Sequence, residues 1–290
     1  MAPLNLFLAG QWVIMLTNFA QRMWMMSENL SVSYRKKKIV KIAYHKEYSR
    51  ELGRDMEYKV YGHRGKPVLV FPTSLGKFYQ YEDFGMIEVI KNFIDDGLIQ
   101  VWTCDSIDGE TFYAAQSHPG ERIKGHEQYD RYIIRELIPS IVRKSRNGNN
   151  IEKHKLLVTG CSMGAYYSAN FFFRHPEFFD TLIALSGVYA TRYFFGDYMD
   201  ETTYFNSPID YLRNLSDKWY LDQYRKSKII ICSGQGAYEE KMIEDTLQMK
   251  TILDEKNIPA WVDIWGYDVN HDWCWWKKQI VYFLNNCFSI

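Results

Sequence analysis

Ser162 stands at the centre of Gly160-Cys161-Ser162-Met163-Gly164, a Gly-x-Ser-x-Gly turn between an apolar stretch and a helical one. A serine held on a sharp strand-to-helix turn presents its hydroxyl clear of the backbone. Gly160 and Gly164 let strand and helix pass without a Cβ clash. The helix that follows turns free N–H groups and its positive end toward that hydroxyl, which suits a developing oxyanion. The chemistry such a turn can support is nucleophilic attack on a carbonyl.

A serine needs a base within hydrogen-bond reach, and the base needs an orienting acid. Where this turn sits in an α/β sheet, the order along the chain is Ser, then Asp or Glu, then His. Of the seven histidines, His175 and His271 follow Ser162. His175 closes the helix after the turn, about 13 residues on and so roughly 20 Å from the serine. His271, in the loop after the last strand, is the base by position and by elimination. The acid should lie in Gly234-Gln235-Gly236-Ala237-Tyr238-Glu239-Glu240. Glu239 and Glu240 are the first carboxylates there, with Glu244 and Asp245 a turn later. Glu239 is favoured, because a helix starting beside it turns Glu240 away. For an oxyanion hole, one N–H is expected from Met163. The other is expected from Thr73-Ser74-Leu75-Gly76, with Leu75 favoured and Ser74 next. Ser74, Asp105 and Tyr238 are candidates to line the substrate. For Asp105 and Asp108 the competing role is to hold loop N–H groups.

The elements that must position these groups follow from periodicity. Strands are expected at 39–48, 56–61, 68–72, 99–105, 156–161, 182–185, 229–233 and 261–265. Helices are expected at 86–94, 127–142, 163–174, 241–256 and 277–284. Strands alternating with helices from Val68 onward imply an α/β protein with a mainly parallel sheet, covered on both faces and antiparallel at its start. Residues 189–224 break the rhythm. They are dense in Tyr, Phe and Trp and form a candidate lid or substrate wall. Nothing divides 39–290 into two domains.

Lys+Arg and Asp+Glu are 35 each, so the balanced charge gives no reason to expect a nucleic-acid partner. The five cysteines are odd in number and widely spaced, which points away from a disulfide framework or zinc site and toward a reducing, cytoplasmic setting. Residues 1–38 are apolar, then basic, and are expected to lie outside the core. An amphipathic helix, a weak membrane anchor and a leader compete there. Asn5, Gln11, Asn18 and Gln21 disfavour a membrane span.

These motifs together resemble the esterase D-like family of the α/β-hydrolase superfamily, which includes S-formylglutathione hydrolase, feruloyl and enterochelin esterases and the mycobacterial mycolyltransferases. The resemblance spans about residues 45–283. It rests on Phe71-Pro72-Thr73-Ser74-Leu75-Gly76, Gly160-Cys161-Ser162-Met163-Gly164-Ala165-Tyr166, Phe172-Phe173-Arg174-His175-Pro176, Leu185-Ser186-Gly187 and His271-Asp272-Trp273. It implies an α/β-hydrolase fold and a serine carboxylester hydrolase acting on a small-molecule ester, with no metal or organic cofactor. Leu75 and Met163 are similar to the oxyanion pair of the mycolyltransferases. An acyltransferase and a non-catalytic binding protein are the rival readings of the same scaffold. The chain departs from the family at Gly236-Ala237, where many relatives carry an aspartate.

Overall fold

The computed structural model describes residues 41–145 and 155–288. The expected extension 1–38 and the turn at 147–150 lie outside the described residues. Strands β1 (Ile42–Ser49), β2 (Arg54–Tyr61), β3 (Lys66–Phe71), β4 (Ile99–Cys104), β5 (Leu156–Cys161), β6 (Phe179–Leu185), β7 (Lys228–Ser233) and β8 (Trp261–Ile264) form an eight-stranded sheet. Its order is β1-β2-β4-β3-β5-β6-β7-β8. The pairs β1–β2 and β2–β4 are antiparallel and the rest are parallel.

Side-chain alternation along the central strands explains why both faces are covered. Leu69 and Phe71, Val158, Leu182 and Ala184, and Ile229 and Ile231 point into one buried cluster. Val68 and Val70, Leu157, Ile183 and Leu185, and Ile230 and Cys232 point into the other. A strand buried on both faces has no polar alternation to show, hence the continuous apolar runs.

Two short helices, α2 (Met86–Val89) and α3 (Lys91–Asp95), stand where one helix over 86–94 was expected, and a further short helix, α1 (Gln80–Asp83), precedes them. The helix expected at 127–142 starts earlier, at Pro119. It runs as α4 (Pro119–Tyr132), a π turn (Ile133–Leu137) and α5 (Ile138–Lys144). His118 caps its start by accepting the Gly120 N–H through Nδ1 at 3.1 Å. Pro139 accounts for the wider turn. It has no N–H to give the carbonyl of Arg135, and the Ile138 N–H reaches back to Ile133 instead.

Helix α6 (Met163–Arg174) follows β5. Residues 189–224 form four short helices, α7 (Arg192–Phe195), α8 (Glu201–Tyr204), α9 (Pro208–Asn214) and α10 (Lys218–Arg225). Tyr189, Phe195, Tyr211 and Tyr224 from this segment are buried in the same cluster as α6. The Tyr166 hydroxyl of α6 donates to the Asn206 carbonyl at 2.7 Å, and the Tyr224 hydroxyl donates to the Phe173 carbonyl. A fully buried aromatic side chain contributes about 2–3 kcal/mol of transfer free energy. This aromatic-rich insertion is therefore anchored along the elbow helix by both packing and hydrogen bonds. Helix α11 (Glu240–Glu255) follows β7. The final helix α12 (Trp273–Phe288) begins four residues before the expected position, with Asp272 accepting the Cys274 N–H at 3.0 Å.

Candidate active site

Ser162 sits between the end of β5 and the first residue of α6, with φ 56° and ψ −119°. A non-glycine residue at positive φ is strained and needs support from its surroundings. Support comes from the Ser162 N–H, which donates to the Leu185 carbonyl of the adjacent strand at 2.9 Å. The Ser162 carbonyl in turn accepts the N–H of Ala165 at 2.9 Å. The flanking glycines are a packing requirement. A Cβ on Gly160 would lie 2.5 Å from the Gly164 carbonyl carbon, and a Cβ on Gly164 would collide with the Phe71 carbonyl. This is the close strand–helix approach that the motif requires.

His271 arrives from the loop after β8, and its Nε2 is 2.9 Å from Ser162 Oγ. Its Nδ1 faces Glu239 Oε1 at 3.3 Å. Both of these atoms are buried and have no hydrogen-bond partner among the described residues. They face each other without a formed hydrogen bond, the loose geometry common in an unliganded site. Glu239 is fully buried, and its Oε2 accepts the Ser233 hydroxyl at 2.9 Å. Glu240 begins α11 and is exposed. Asp245 is also buried, but it accepts the N–H groups of Tyr189 and Ala190 and pairs with Arg192 at 2.6 Å. Glu244 is 3.7 Å from Arg192 and likewise serves that region.

The acid and base loops are fastened directly to each other. The Gly236 N–H donates to the Val269 carbonyl at 2.9 Å, and the His271 N–H donates to the Ala237 carbonyl at 3.0 Å. The Ala237 N–H donates to Asn270 Oδ1 at 2.8 Å. A Cβ at position 236 would collide with Asn270 Oδ1. The histidine loop therefore leaves no room for a side chain at position 236, and the carboxylate that faces His271 comes from Glu239.

Two residues that the sequence did not single out as site residues hold the His271 ring. The Trp276 ring lies edge-on to His271, with centroids 4.9 Å apart. Its Nε1–H donates to Ser186 Oγ at 3.0 Å, and Ser186 is itself at φ 54°. The spacing from His271 to Trp276, with a helix starting between them, was the available signal. Ser186 was visible only as the small residue closing β6.

The loop after β3 corrects one expectation. The Leu75 N–H donates to Asp108 Oδ2 at 2.7 Å, so it is already engaged and is not free for an oxyanion. Asp108 is buried, accepts the Gly109 N–H at 3.1 Å, and is also bonded to the Ser106 hydroxyl. Burial raises its carboxyl pKa, opposed by those hydrogen bonds. The N–H groups of Ser74 and Met163 have no hydrogen-bond acceptor among the described residues. The Ser74 hydroxyl meets the Tyr113 hydroxyl at 2.6 Å. Asp105 is a second correction. It is buried and accepts the Phe78 N–H at 2.9 Å, with Lys77 at 3.4 Å, so its carboxylate holds the loop instead of facing substrate. Tyr238, at φ 66°, is 79% exposed beside the buried Glu239.

Cys161, next to the nucleophile position, is buried, and burial pushes its thiol well above the ordinary range. It stays protonated, which leaves the hydroxyl of Ser162 as the reactive group of the turn. No group of three or more His, Cys, Asp or Glu among the described residues is placed to hold a metal ion.

Comparison with known proteins identifies the family and the fold. The family model described as "Putative esterase" matches residues 49–285. A search of curated proteins finds no match. An S-formylglutathione hydrolase from Agrobacterium tumefaciens superposes with a TM-score of 0.65 at 14% identity, covering 87% of this chain and 95% of that one. A ferulic acid esterase gives a TM-score of 0.65 at 15% identity, covering 84% and 96%. FphF, a fluorophosphonate-binding serine hydrolase of Staphylococcus aureus, gives 0.60 at 17%, covering 85% and 97%. The sheet order, the strained serine turn and the family match over most of its length place this chain in that esterase family of α/β-hydrolases, as a serine ester hydrolase.

Proposed function

We propose that Ser162, His271 and Glu239 are the catalytic triad and that the enzyme cleaves small or medium acyl esters through an acyl-enzyme. The observation that carries this reading is the 2.9 Å contact between His271 Nε2 and Ser162 Oγ on a positive-φ turn. In the first half-reaction Ser162 Oγ bonds to the ester carbonyl carbon as its proton passes to His271 Nε2. The imidazolium then protonates the leaving alkoxide as the ester C–O bond breaks. In the second half, His271 takes a proton from water as its oxygen bonds to the acyl carbon, and the bond from that carbon to Ser162 Oγ then breaks as the imidazolium returns the proton to Oγ and the carboxylic acid leaves. Glu239 holds the ring through Nδ1 and stabilises the imidazolium charge.

The Met163 N–H at the start of α6 is one oxyanion donor. Ser74 N–H replaces Leu75 as the second, a choice supported by the engagement of Leu75 with Asp108. Each such donor is worth about 3–4 kcal/mol of transition-state stabilisation. Exposed apolar side chains on the loops after β3 and β4 and on the loops that carry Glu239 and His271 support an apolar acyl group as the substrate portion. Leu75, Tyr113, Tyr238 and Tyr267 are 61%, 41%, 79% and 82% exposed.

All five cysteines are unpaired. No helix among the described residues is long and apolar enough to cross a membrane. The unpaired cysteines support the reading of a reducing, cytoplasmic setting. We also place residues 39–290 as the catalytic unit, with 1–38 outside it.

The test is hydrolysis of p-nitrophenyl esters of graded acyl length. Ser162→Ala should reduce turnover to background with an unchanged melting temperature. Activity that survives in a folded Ser162→Ala protein excludes the assignment.

A further inference from the structure

A cavity of about 760 Å³ opens far from Ser162, at the opposite end of α6. Its floor includes Arg174 and His175, the last residues of the elbow helix, about 12 residues and so roughly 18 Å from the nucleophile. No triad residue lines it. Its walls are aromatic: Tyr204 from α8, Phe205 just after it, Tyr211 from α9 and Tyr220 from α10. The insertion that packs along α6 therefore also encloses a second concave site.

The charge of this cleft is one-sided. Arg174 is fully engaged, 2.9 Å from Glu127 and 3.3 Å from Asp130, so its positive charge is already matched. Glu177, Glu201 and Asp217 also line the cleft. Glu177 faces His175 at 3.8 Å and also feels the charge of Lys155, so the least compensated carboxylates of the lining are Glu201 and Asp217. Glu201 and Asp217 have no ion-pair partner among the described residues. The carboxyl end of α6 points the same way, because a helix C-terminus carries partial negative charge. The Tyr211 side chain is 7% exposed, and its hydroxyl has no hydrogen-bond partner among the described residues. It is an acceptor that nothing in the described chain uses. Aromatic faces, unmatched carboxylates and a spare acceptor are together the chemistry that binds an ammonium group.

We propose that this cleft is a second binding site, separate from the ester-cleaving centre, for an organic ammonium ion carried on an apolar or aromatic body. An anion would meet four carboxylates, Glu127 included, while the two cations of the lining, Arg174 and His175, are already paired with carboxylates. A purely apolar ligand would leave the acidic rim desolvated and unpaired, at a cost.

The probe pair is benzylammonium and its neutral near-isostere benzyl alcohol, titrated by calorimetry and ligand-observed NMR at neutral pH. Benzylammonium should bind saturably and at least about tenfold more tightly than the alcohol, and should weaken as salt rises. Glu201→Gln, at an exposed position, should weaken it about threefold. Tyr220→Ala should weaken it about tenfold, while Tyr220→Phe should retain it, because the ring face makes the contact. Ser162→Ala should bind the cation as the wild type does, which separates this site from the catalytic one. The proposal is overturned by equal binding of the two probes, by no saturable binding, by indifference to both Glu201→Gln and Tyr220→Ala, or by loss of binding in Ser162→Ala.

Discussion

Two histidine–carboxylate pairs stand at opposite ends of α6, and their surroundings assign them different work. At the amino end, His271 faces Glu239 with one ring nitrogen and Ser162 with the other. At the carboxyl end, His175 Nε2 meets Asp130 at 2.9 Å, and its Nδ1 is 3.8 Å from Glu177. Asp130 is shared with Arg174, which also binds Glu127 and Asn206. In the second pair both ring nitrogens face carboxylates within a closed ionic network, and the histidine has no proton to move to or from a nucleophile. Burial alone would lower the His175 pKa, but its hydrogen bonds to the Asp130 and Glu177 carboxylates raise it above the ordinary value, as suits a structural cation. A histidine beside a carboxylate is thus not by itself a catalytic base. The distinguishing feature is a ring nitrogen left for a hydroxyl on a strained turn.

Breaking each pair should separate activity from stability. The largest effect on rate is expected from His271→Ala, a loss of about 10⁵–10⁶ in kcat. Glu239→Gln should lose about 10⁴, because the amide cannot hold the ring and its charge as a carboxylate does. Steady-state kinetics on the two single variants and the double variant checks this. The double should be little worse than His271→Ala alone, since the triad acts as a unit. At the other end, Arg174→Met leaves the part-buried Glu127 without its cation and Asp130 with His175 alone. It should cost about 3–5 kcal/mol of stability in denaturant unfolding, with kcat per folded molecule retained within a few-fold.

The smallest effect sharpens the contrast through pH. His126, on α4, is fully buried among Phe112, Tyr129, Tyr167 and Phe171, and neither ring nitrogen has a hydrogen-bond partner among the described residues. Burial pushes its pKa down to about 4. The unfolded chain binds that proton from pH 6.5 downward, while the native state resists it until about pH 4. Stability should therefore fall as pH drops through this window, by on the order of 3 kcal/mol in all. His175 acts in the opposite sense. Its raised pKa contributes stability below the ordinary histidine pKa, and that contribution is lost as pH rises through the folded value. Denaturant midpoints of wild type and His126→Phe between pH 7 and 4 check this. The variant should lose most of the acid dependence that His126 adds.

Much of this arrangement is legible in the chain. The sheet could be read because its central strands are buried on both faces and so appear as unbroken apolar runs. Ser162 and His271, brought together in the structure, were singled out by a motif with steric content and by an order that leaves one histidine in reach. Glu239 over Glu240 followed from where α11 begins. The second oxyanion donor was not legible. The Leu75 N–H is taken by a carboxylate 33 residues away in sequence, and no local pattern reports such a contact. Asp105 was ambiguous for the same reason, since strand end and acidity fit both a substrate contact and a loop anchor. Aromatic density in 189–224 suggested a wall but could not show that several of those rings pack on α6, nor that the segment encloses a cleft at the far end of that helix.

The central claim is that Ser162 is activated by His271. The most direct measurement is reaction with a fluorophosphonate, followed by intact mass and peptide mapping of the wild type, Ser162→Ala and His271→Ala proteins. The account predicts a single adduct on the peptide containing Ser162, absent from Ser162→Ala and strongly slowed in His271→Ala. An adduct on another residue, or labelling at an unchanged rate in folded His271→Ala, would contradict it.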